Sequence, residues 1–253
     1  MLKGLAATAV LASMCGAAAA GEAPAKDWYV AARLGYQPYQ MTAKGTVNGN
    51  DFDKSASLSD IMDKTDTTIY GGELEFGKAN WFGTFAGFHQ KSEINKSNGV
   101  VSLDTTLKET GINSMIGRRV LTTWLGTVPL MVDAMAGLYY VKVDGSITLD
   151  ATPPGYVSGG KNINFTDPML GTRGYLAFTQ KLGAAASWQI GGFGVGSDIN
   201  TTVAANVVYN FTDWFAMSGG YKYWYFKYTN NDKALSKFEQ TLQGPVIGAQ
   251  FKY

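Results

Sequence analysis

The chain has 253 residues, of which 45% are hydrophobic, 13% are aromatic and only 16% are charged. Disordered chains are rich in charge and poor in aromatic residues, and the 31 glycines follow no period of three, so both a disordered and a collagen-like protein are excluded. With 21 Lys and Arg against 20 Asp and Glu, the chain has no basic excess with which to bind nucleic acid.

The first twenty residues have the pattern of a secretory signal peptide. Lys3 precedes an apolar stretch over residues 5–14, and the three alanines at 18–20 fit an A-x-A cleavage site. The apolar stretch is too short to cross a bilayer as a helix, which needs about 20 residues. A lipoprotein signal ending at Cys15 is the alternative. We predict a signal peptide over 1–20 and one exported domain over 21–253, which contains no cysteine.

Apolar and polar residues alternate with a period of two through most of the exported domain, which predicts β-strands. In the first segment, Leu34 and Tyr36 lie on one face and Arg33 on the other. The candidate strands are, in chain order, 27–47, 67–78, 81–97, 101–120, 128–150, 164–179, 184–194, 197–211, 214–230 and 236–253.

The two faces of these strands differ in a way that is typical of membrane barrels. The polar face is rich in glycine and carries isolated charges, whereas the apolar face ends in aromatic residues, as in the aromatic girdles of outer-membrane proteins. Sheets in lipid must close, because lipid offers the backbone no hydrogen-bond partners. We therefore predict an all-β fold, an up-and-down antiparallel transmembrane β-barrel of about ten strands, with its apolar face outward.

Short and long connections alternate along the chain, which places the short ones on the periplasmic side. The short connections are 78–80, 180–183 and 212–214, and the long ones are 48–66, the hairpin at 98–99, 151–163 and 228–237. Eight strands remain the alternative if the glycine-rich stretch 192–197 lies within one kinked strand. Residues 58–63, with Ser57 as cap, predict a short helical turn that plugs the rim or, alternatively, forms a binding lid.

The second half of the chain resembles a family of uncharacterised outer-membrane β-barrel proteins from Gram-negative bacteria. The strings that carry the resemblance are T-D-P-M-L-G-T-R-G at 166–174, I-G-G-F-G-V-G-S-D at 190–198, G-Y-K-Y at 220–223 and the terminal strand from 244 to 253. This resemblance implies an outer-membrane location and a barrel fold, but no reaction. It also implies that the assembly machinery of such barrels recognises the terminal strand, which ends in Phe251 and Tyr253.

The polar faces together predict a charged lumen. The charges expected there are Arg33, Glu73, Glu75, Asp133, Arg173 and Lys222, with Lys252 and Asp167 as further candidates. Because an unpaired buried charge costs several kcal/mol, we expect these groups to pair and to brace the barrel. A charge-lined narrow conduit is the alternative, since ten strands leave little more room than the side chains fill.

Catalytic and metal-binding residues are scarce. His89 is the only histidine, and Ser92, three residues on, falls on the opposite face of the same strand, so a lipid A acyl hydrolase stays an alternative that no motif supports. Asp60, Asp63 and Asp66 recur without a calcium-loop pattern, and the glycines at 192–196 lack the lysine of a phosphate loop. We expect no cofactor and no catalytic site.

The sequence thus predicts a non-enzymatic outer-membrane barrel with a structural or surface-interaction role. Its expected partners are outer-membrane lipid, lipopolysaccharide and the barrel-assembly machinery.

Overall fold

The computed structural model describes residues 28–37, 40–47, 50–56, 65–97, 101–151, 155–229 and 235–253. The predicted signal peptide, the predicted turn at 58–63 with its cap Ser57, and the predicted hairpin at 98–99 lie outside these residues. The strands are β1 (Trp28–Tyr36), β2 (Gln40–Val47), β3 (Asn50–Ala56), β4 (Thr65–Lys78), β5 (Trp81–Ser97), β6 (Val101–Leu125), β7 (Val128–Ala151), β8 (Gly155–Ala177), β9 (Leu182–Gly192), β10 (Ile199–Asn210), β11 (Phe215–Thr229) and β12 (Leu235–Lys252).

These segments form a closed antiparallel barrel of ten strands. From β4 to β12 each strand pairs with its neighbour in sequence, and β12 pairs back to β1, which closes the cylinder. β1 and β2 both pair with β12 and together make one barrel strand, while β3 pairs with β2 and β4 with β1. The predicted fold class is therefore confirmed, with ten strands rather than eight.

The alternation of side chains places the apolar face outward. Residues such as Leu34, Phe76 and Ile116 are exposed, whereas Arg33 and Glu75, on the opposite faces of the same or paired strands, are buried. Large aromatic side chains are exposed beside the short turns, and they are Trp28, Trp81, Trp124, Phe178 and Trp214. This distribution, with apolar side chains exposed and charges buried, is the reverse of that in a water-soluble β-sandwich. It fits a belt of apolar side chains that faces lipid.

The connections at the barrel end that carries Trp28 and Tyr253 are short turns, as predicted. Residues 79–80, 126–127, 178–181 and 211–214 join successive strands at this end. No helix long and apolar enough to cross a membrane occurs among the residues that the structure describes.

Three predicted strand or loop boundaries are wrong, because more of the chain is strand than expected. β6 continues to Leu125 instead of ending at 120, and β8 begins at Gly155, so most of the predicted loop 151–163 is strand. Part of the predicted loop 48–66 is likewise strand, namely β3 and the start of β4. The glycine and asparagine residues of the 155–162 segment favour a loop, but its backbone is held in the sheet by pairing with β7. Tertiary pairing thus overrides local propensity here.

The glycine-rich stretch is a tight turn between β9 and β10. Gly192, Phe193 and Gly194 all have positive φ, at 89°, 50° and 76°. Glycine adopts this conformation without steric cost, and Phe193 is the non-glycine exception. β9 and β10 have only 11 and 12 residues, against 23 in β8. The barrel wall is therefore shorter at this turn than at β8.

Candidate functional site

Six charged residues of the lumen gather in one layer, named here the ionic layer. Strand register supplies two of its pairs directly, since Arg33 lies opposite Glu73 and Asp133 lies opposite Arg173. Two residues further along β4, on the same inward face, is Glu75. The layer consists of Arg33, Glu73, Glu75, Arg119, Asp133 and Arg173.

Glu75 is the centre of the ionic layer and is fully buried. Arg173 Nη1 donates to Glu75 Oε2 at 2.5 Å, Tyr29 Oη donates to Oε1 at 2.7 Å, and Arg33 Nη1 donates to Oε2 at 3.2 Å. Arg33 also donates to Glu73. The contact between Glu75 and Arg173 joins β4 to β8 across the lumen, since β5, β6 and β7 lie between them in the wall.

Asp133 binds the other side of the same layer. It accepts from Arg173 Nε at 2.7 Å and from Arg119 Nε at 3.0 Å. The Arg173 guanidinium also lies 3.9 Å from the centre of the Phe82 ring, which adds a cation–π contact. Three guanidinium groups therefore meet three carboxylates inside the barrel, which gives the layer a formal charge of zero.

Lys222 and Lys252, also expected among the lumen charges, do not join the ionic layer. Lys252 Nζ donates to Asn210 Oδ1 at 3.3 Å, near the periplasmic end. Among the described residues Lys222 has no side-chain hydrogen bond or ion pair, and only its backbone carbonyl accepts, from Gln37. Its side chain borders a small cavity above the layer.

The outer half of the lumen is filled by aromatic rings, named here the aromatic layer. Trp224 contacts Phe88, Tyr139 and Phe226, with ring centres 5.2 to 5.8 Å apart. Phe165 of β8 packs on rings of β11, across the place where β9 and β10 are short. The lumen was predicted to be polar, and in this half the aromatic rings lie beside buried polar groups, such as Gln240 Nε2, which donates to Glu109 Oε2 at 3.1 Å. The aromatic layer is Tyr139, Phe165, Trp224, Phe226, Tyr228 and Phe238.

Asp167 fastens the turn between β9 and β10 to β8. Its carboxylate accepts from the Ser197 backbone N–H at 2.7 Å, the Ser197 hydroxyl at 2.8 Å and Asn200 Nδ2 at 2.9 Å. Trp224 Nε1 in turn donates to Asn200 Oδ1 at 2.8 Å. Two of the strings that carry the family resemblance, at 166–174 and 190–198, thus contact each other through the bonds between Asp167 and Ser197.

His89 lies on the outward face of β5, where its Nδ1 is 2.8 Å from Thr110 Oγ1. The predicted candidates Asp60 and Asp63 lie outside the described residues. In the part of the chain that the structure describes, no group of three or more His, Cys, Asp or Glu side chains is placed to hold a metal ion.

Sequence reasoning missed Tyr29, Arg119 and the aromatic layer, although the alternation contained the signal. Tyr29 shares the inward parity of Arg33, and Trp224 shares that of Lys222. Gly77 also matters, because a Cβ there would lie 2.0 Å from the Tyr29 ring. The missing side chain leaves the space in which Tyr29 reaches Glu75.

Comparison with known proteins supports the fold. No family model and no curated protein sequence matches the chain. Among solved structures, the outer membrane protease OmpT from Escherichia coli aligns with 90% of this chain and 98% of its own, at 12% identity and a TM-score of 0.56. Ail of Yersinia pestis (10% identity, 89% and 98% covered) and OprG of Pseudomonas aeruginosa (9%, 89% and 95%) give TM-scores of 0.34 and 0.35, too low to bear on the argument.

The closed barrel, its outward apolar belt and its polar and aromatic filling are those of an integral outer-membrane β-barrel. The outer-membrane location predicted from the sequence is confirmed.

Proposed function

We propose that this chain is a closed, non-enzymatic barrel whose role is structural or lies in contacts that its outer strands make at the cell surface. The observation that carries the proposal is the bond between Glu75 and Arg173, which crosses the lumen at its ionic layer. Above that layer the aromatic rings pack from β5, β7 and β8 onto β11. A route for solutes would have to break both.

The length of the outer strands supports a surface role. A strand needs about 9–11 residues to cross the membrane, whereas β6, β7 and β8 have 25, 24 and 23 residues. Since the short turns occupy the periplasmic end, the extra length extends outward. The partly exposed ion pairs Lys142–Asp144 on β7 and Lys227–Glu239 between β11 and β12 lie toward the same outer end, as expected for groups in contact with headgroups and water. Lipopolysaccharide, neighbouring cells and host molecules are the partners that such a surface meets.

The terminal strand supports a further part of the proposal, recognition by the barrel-assembly machinery. Phe251 faces outward, stacks with Trp214 and contacts the tilted ring of Phe215, and Tyr253 is fully exposed. An apolar, aromatic strand end of this kind is available before the barrel closes on β1.

Planar-bilayer recording of the refolded protein tests the closed lumen, with a porin recorded in the same bilayers as the positive control. We expect no steady conductance from this protein. Steps of one uniform size would instead identify a narrow channel and overturn the proposal.

Mass spectrometry of lipid A from cells with and without the protein tests the non-enzymatic part. We expect identical acyl patterns in both. A loss of acyl chains that disappears in the His89→Ala variant would identify a lipid A acyl hydrolase and contradict the proposal.

A further inference from the structure

Tryptophans and basic residues alternate on the outward face of the barrel, near its periplasmic end. Trp28 of β1 lies opposite Lys78 of β4 in the strand register, and Lys78 lies opposite Trp81 of β5. Trp81 in turn lies opposite Arg118 of β6. All four side chains are exposed. They form one continuous row across four neighbouring strands, named here the basic row.

Each cation of the basic row lies over the ring of a neighbouring tryptophan. Lys78 Nζ is 5.1 Å from the centre of the Trp28 ring, and Arg118 Cζ is 5.4 Å from the centre of the Trp81 ring. These cation–π contacts hold the long side chains against the barrel wall. The ring covers one side of each cation, so the N–H groups on its other sides are available as donors to an anion.

The basic row carries two positive charges and no carboxylate. Neither Lys78 nor Arg118 forms an ion pair with another residue that the structure describes. On the short turns 178–181 and 211–214 the exposed charges are Lys181 and Asp213, which are opposite in sign. The excess of exposed positive charge at this end of the barrel therefore lies on the side of the basic row.

The lipid-facing surface next to the basic row has a recess at Gly83. In the next outward-facing row toward the membrane centre, Gly83 lies between Phe76 and Ile116, which are both exposed. A Cβ at Gly83 would meet only the Met115 carbonyl oxygen, at 3.9 Å. An acyl chain can therefore lie against the wall between these two side chains, with its headgroup end at the level of the basic row.

We propose that the basic row binds the phosphate diester of an anionic phospholipid in the periplasmic leaflet of the outer membrane. Lys78 Nζ and the Arg118 guanidinium are the donors, and one acyl chain lies in the recess at Gly83. Strands in a sheet are about 4.8 Å apart, so the two cations start about 10 Å apart, and their long side chains can close on one phosphate.

The charge of the basic row selects among phospholipids. A headgroup that adds no positive charge, such as that of phosphatidylglycerol, leaves the phosphate free to balance Lys78 and Arg118. The choline cation of phosphatidylcholine would instead meet two like charges. Since the short turns place this end of the barrel in the periplasmic leaflet, the occupant is a phospholipid and the site is separate from any contact with lipopolysaccharide.

The first test is a titration of the refolded protein in detergent with phosphatidylglycerol or phosphatidylcholine, in which native mass spectrometry counts the bound lipid. We expect tighter binding of phosphatidylglycerol. The double variant Lys78→Gln/Arg118→Gln should weaken it at least about fivefold, the factor that one basic residue contributes beside an anionic lipid. Lys108→Gln/Lys181→Gln is the matched control, because it removes two exposed charges elsewhere and should bind as the wild type does.

Two results would overturn the proposal. One is equal affinity of the wild type for the two lipids, and the other is an equal loss of phosphatidylglycerol binding in both double variants, which would reduce the effect to overall charge.

A second test places the protein in phosphatidylcholine vesicles that contain a small share of phosphatidylglycerol brominated in its acyl chains. Tryptophan fluorescence should be quenched more than by the same share of brominated phosphatidylcholine, because the bound lipid lies beside Trp81. The excess should disappear in Lys78→Gln/Arg118→Gln. Equal quenching by the two brominated lipids would contradict the site, without bearing on whether the lumen conducts.

Discussion

Replacing Glu75 by Gln tests whether the ionic layer holds the barrel together. The substitution keeps the size and one acceptor oxygen but removes the charge that Tyr29, Arg33 and Arg173 share. The ionic layer then holds three guanidinium groups but only two carboxylates. Removal of one partner from a buried charge network typically destabilises by 3–5 kcal/mol, so we expect a loss of about 4 kcal/mol in the free energy of unfolding.

The assay is urea unfolding of the barrel in lipid vesicles, followed by tryptophan fluorescence. Glu239→Gln is the matched control, because Glu239 meets Lys227 at 3.5 Å in an exposed pair and should cost less than about 1 kcal/mol. Adding Arg173→Met to Glu75→Gln restores charge balance, with two guanidinium groups and two carboxylates left. The double variant should therefore lose less stability than the sum of the single variants. Equal, small losses in Glu75→Gln and Glu239→Gln would refute the reasoning.

Three further predictions concern the turn, the wall and the orientation of the belt. Asp167→Asn leaves one acceptor oxygen for three donors, so at least one of the bonds from Ser197 and Asn200 is lost and hydrogen exchange of residues 193–198 should speed up severalfold. Gly137→Ala would place a Cβ 2.0 Å from the Ser114 carbonyl oxygen, and most of the folded, heat-modifiable band should disappear from an unheated SDS gel. Trp224→Phe should raise the fraction of tryptophan fluorescence that brominated lipids quench, because Trp224 is buried, at 4% exposure, whereas other tryptophans face lipid.

Each of these predictions has a control on the same barrel. Asp198→Asn alters a neighbouring exposed carboxylate that accepts from Thr229, and exchange in the turn should change far less than in Asp167→Asn. Gly83→Ala should fold normally, since its Cβ would meet only the Met115 carbonyl oxygen, at 3.9 Å. Trp214→Phe should lower the quenched fraction, and a rise there, or a fall in Trp224→Phe, would show that the faces were assigned the wrong way round.

The outward face was predictable because it depends on local sequence alone. Side chains alternate along a strand with period two, so Leu34 and Arg33 must lie on opposite faces whatever the rest of the fold does. The lipid environment then determines which face is outward. The short turns were predicted from the breaks between the alternating segments. Trp224 shares the inward parity of Lys222, but sequence reasoning missed it.

The contacts inside the lumen were decided only by the tertiary structure. Arg33 and Glu73 face each other by register between paired strands, but Glu75 meets Arg173 across the lumen, from strands that have three others between them in the wall. Such contacts depend on how the barrel closes and how its cross-section is filled, and parity carries no information on either. For the same reason, the alternation predicted that Lys222 faces the interior, but only the closed barrel shows that no carboxylate of the described residues forms an ion pair with it.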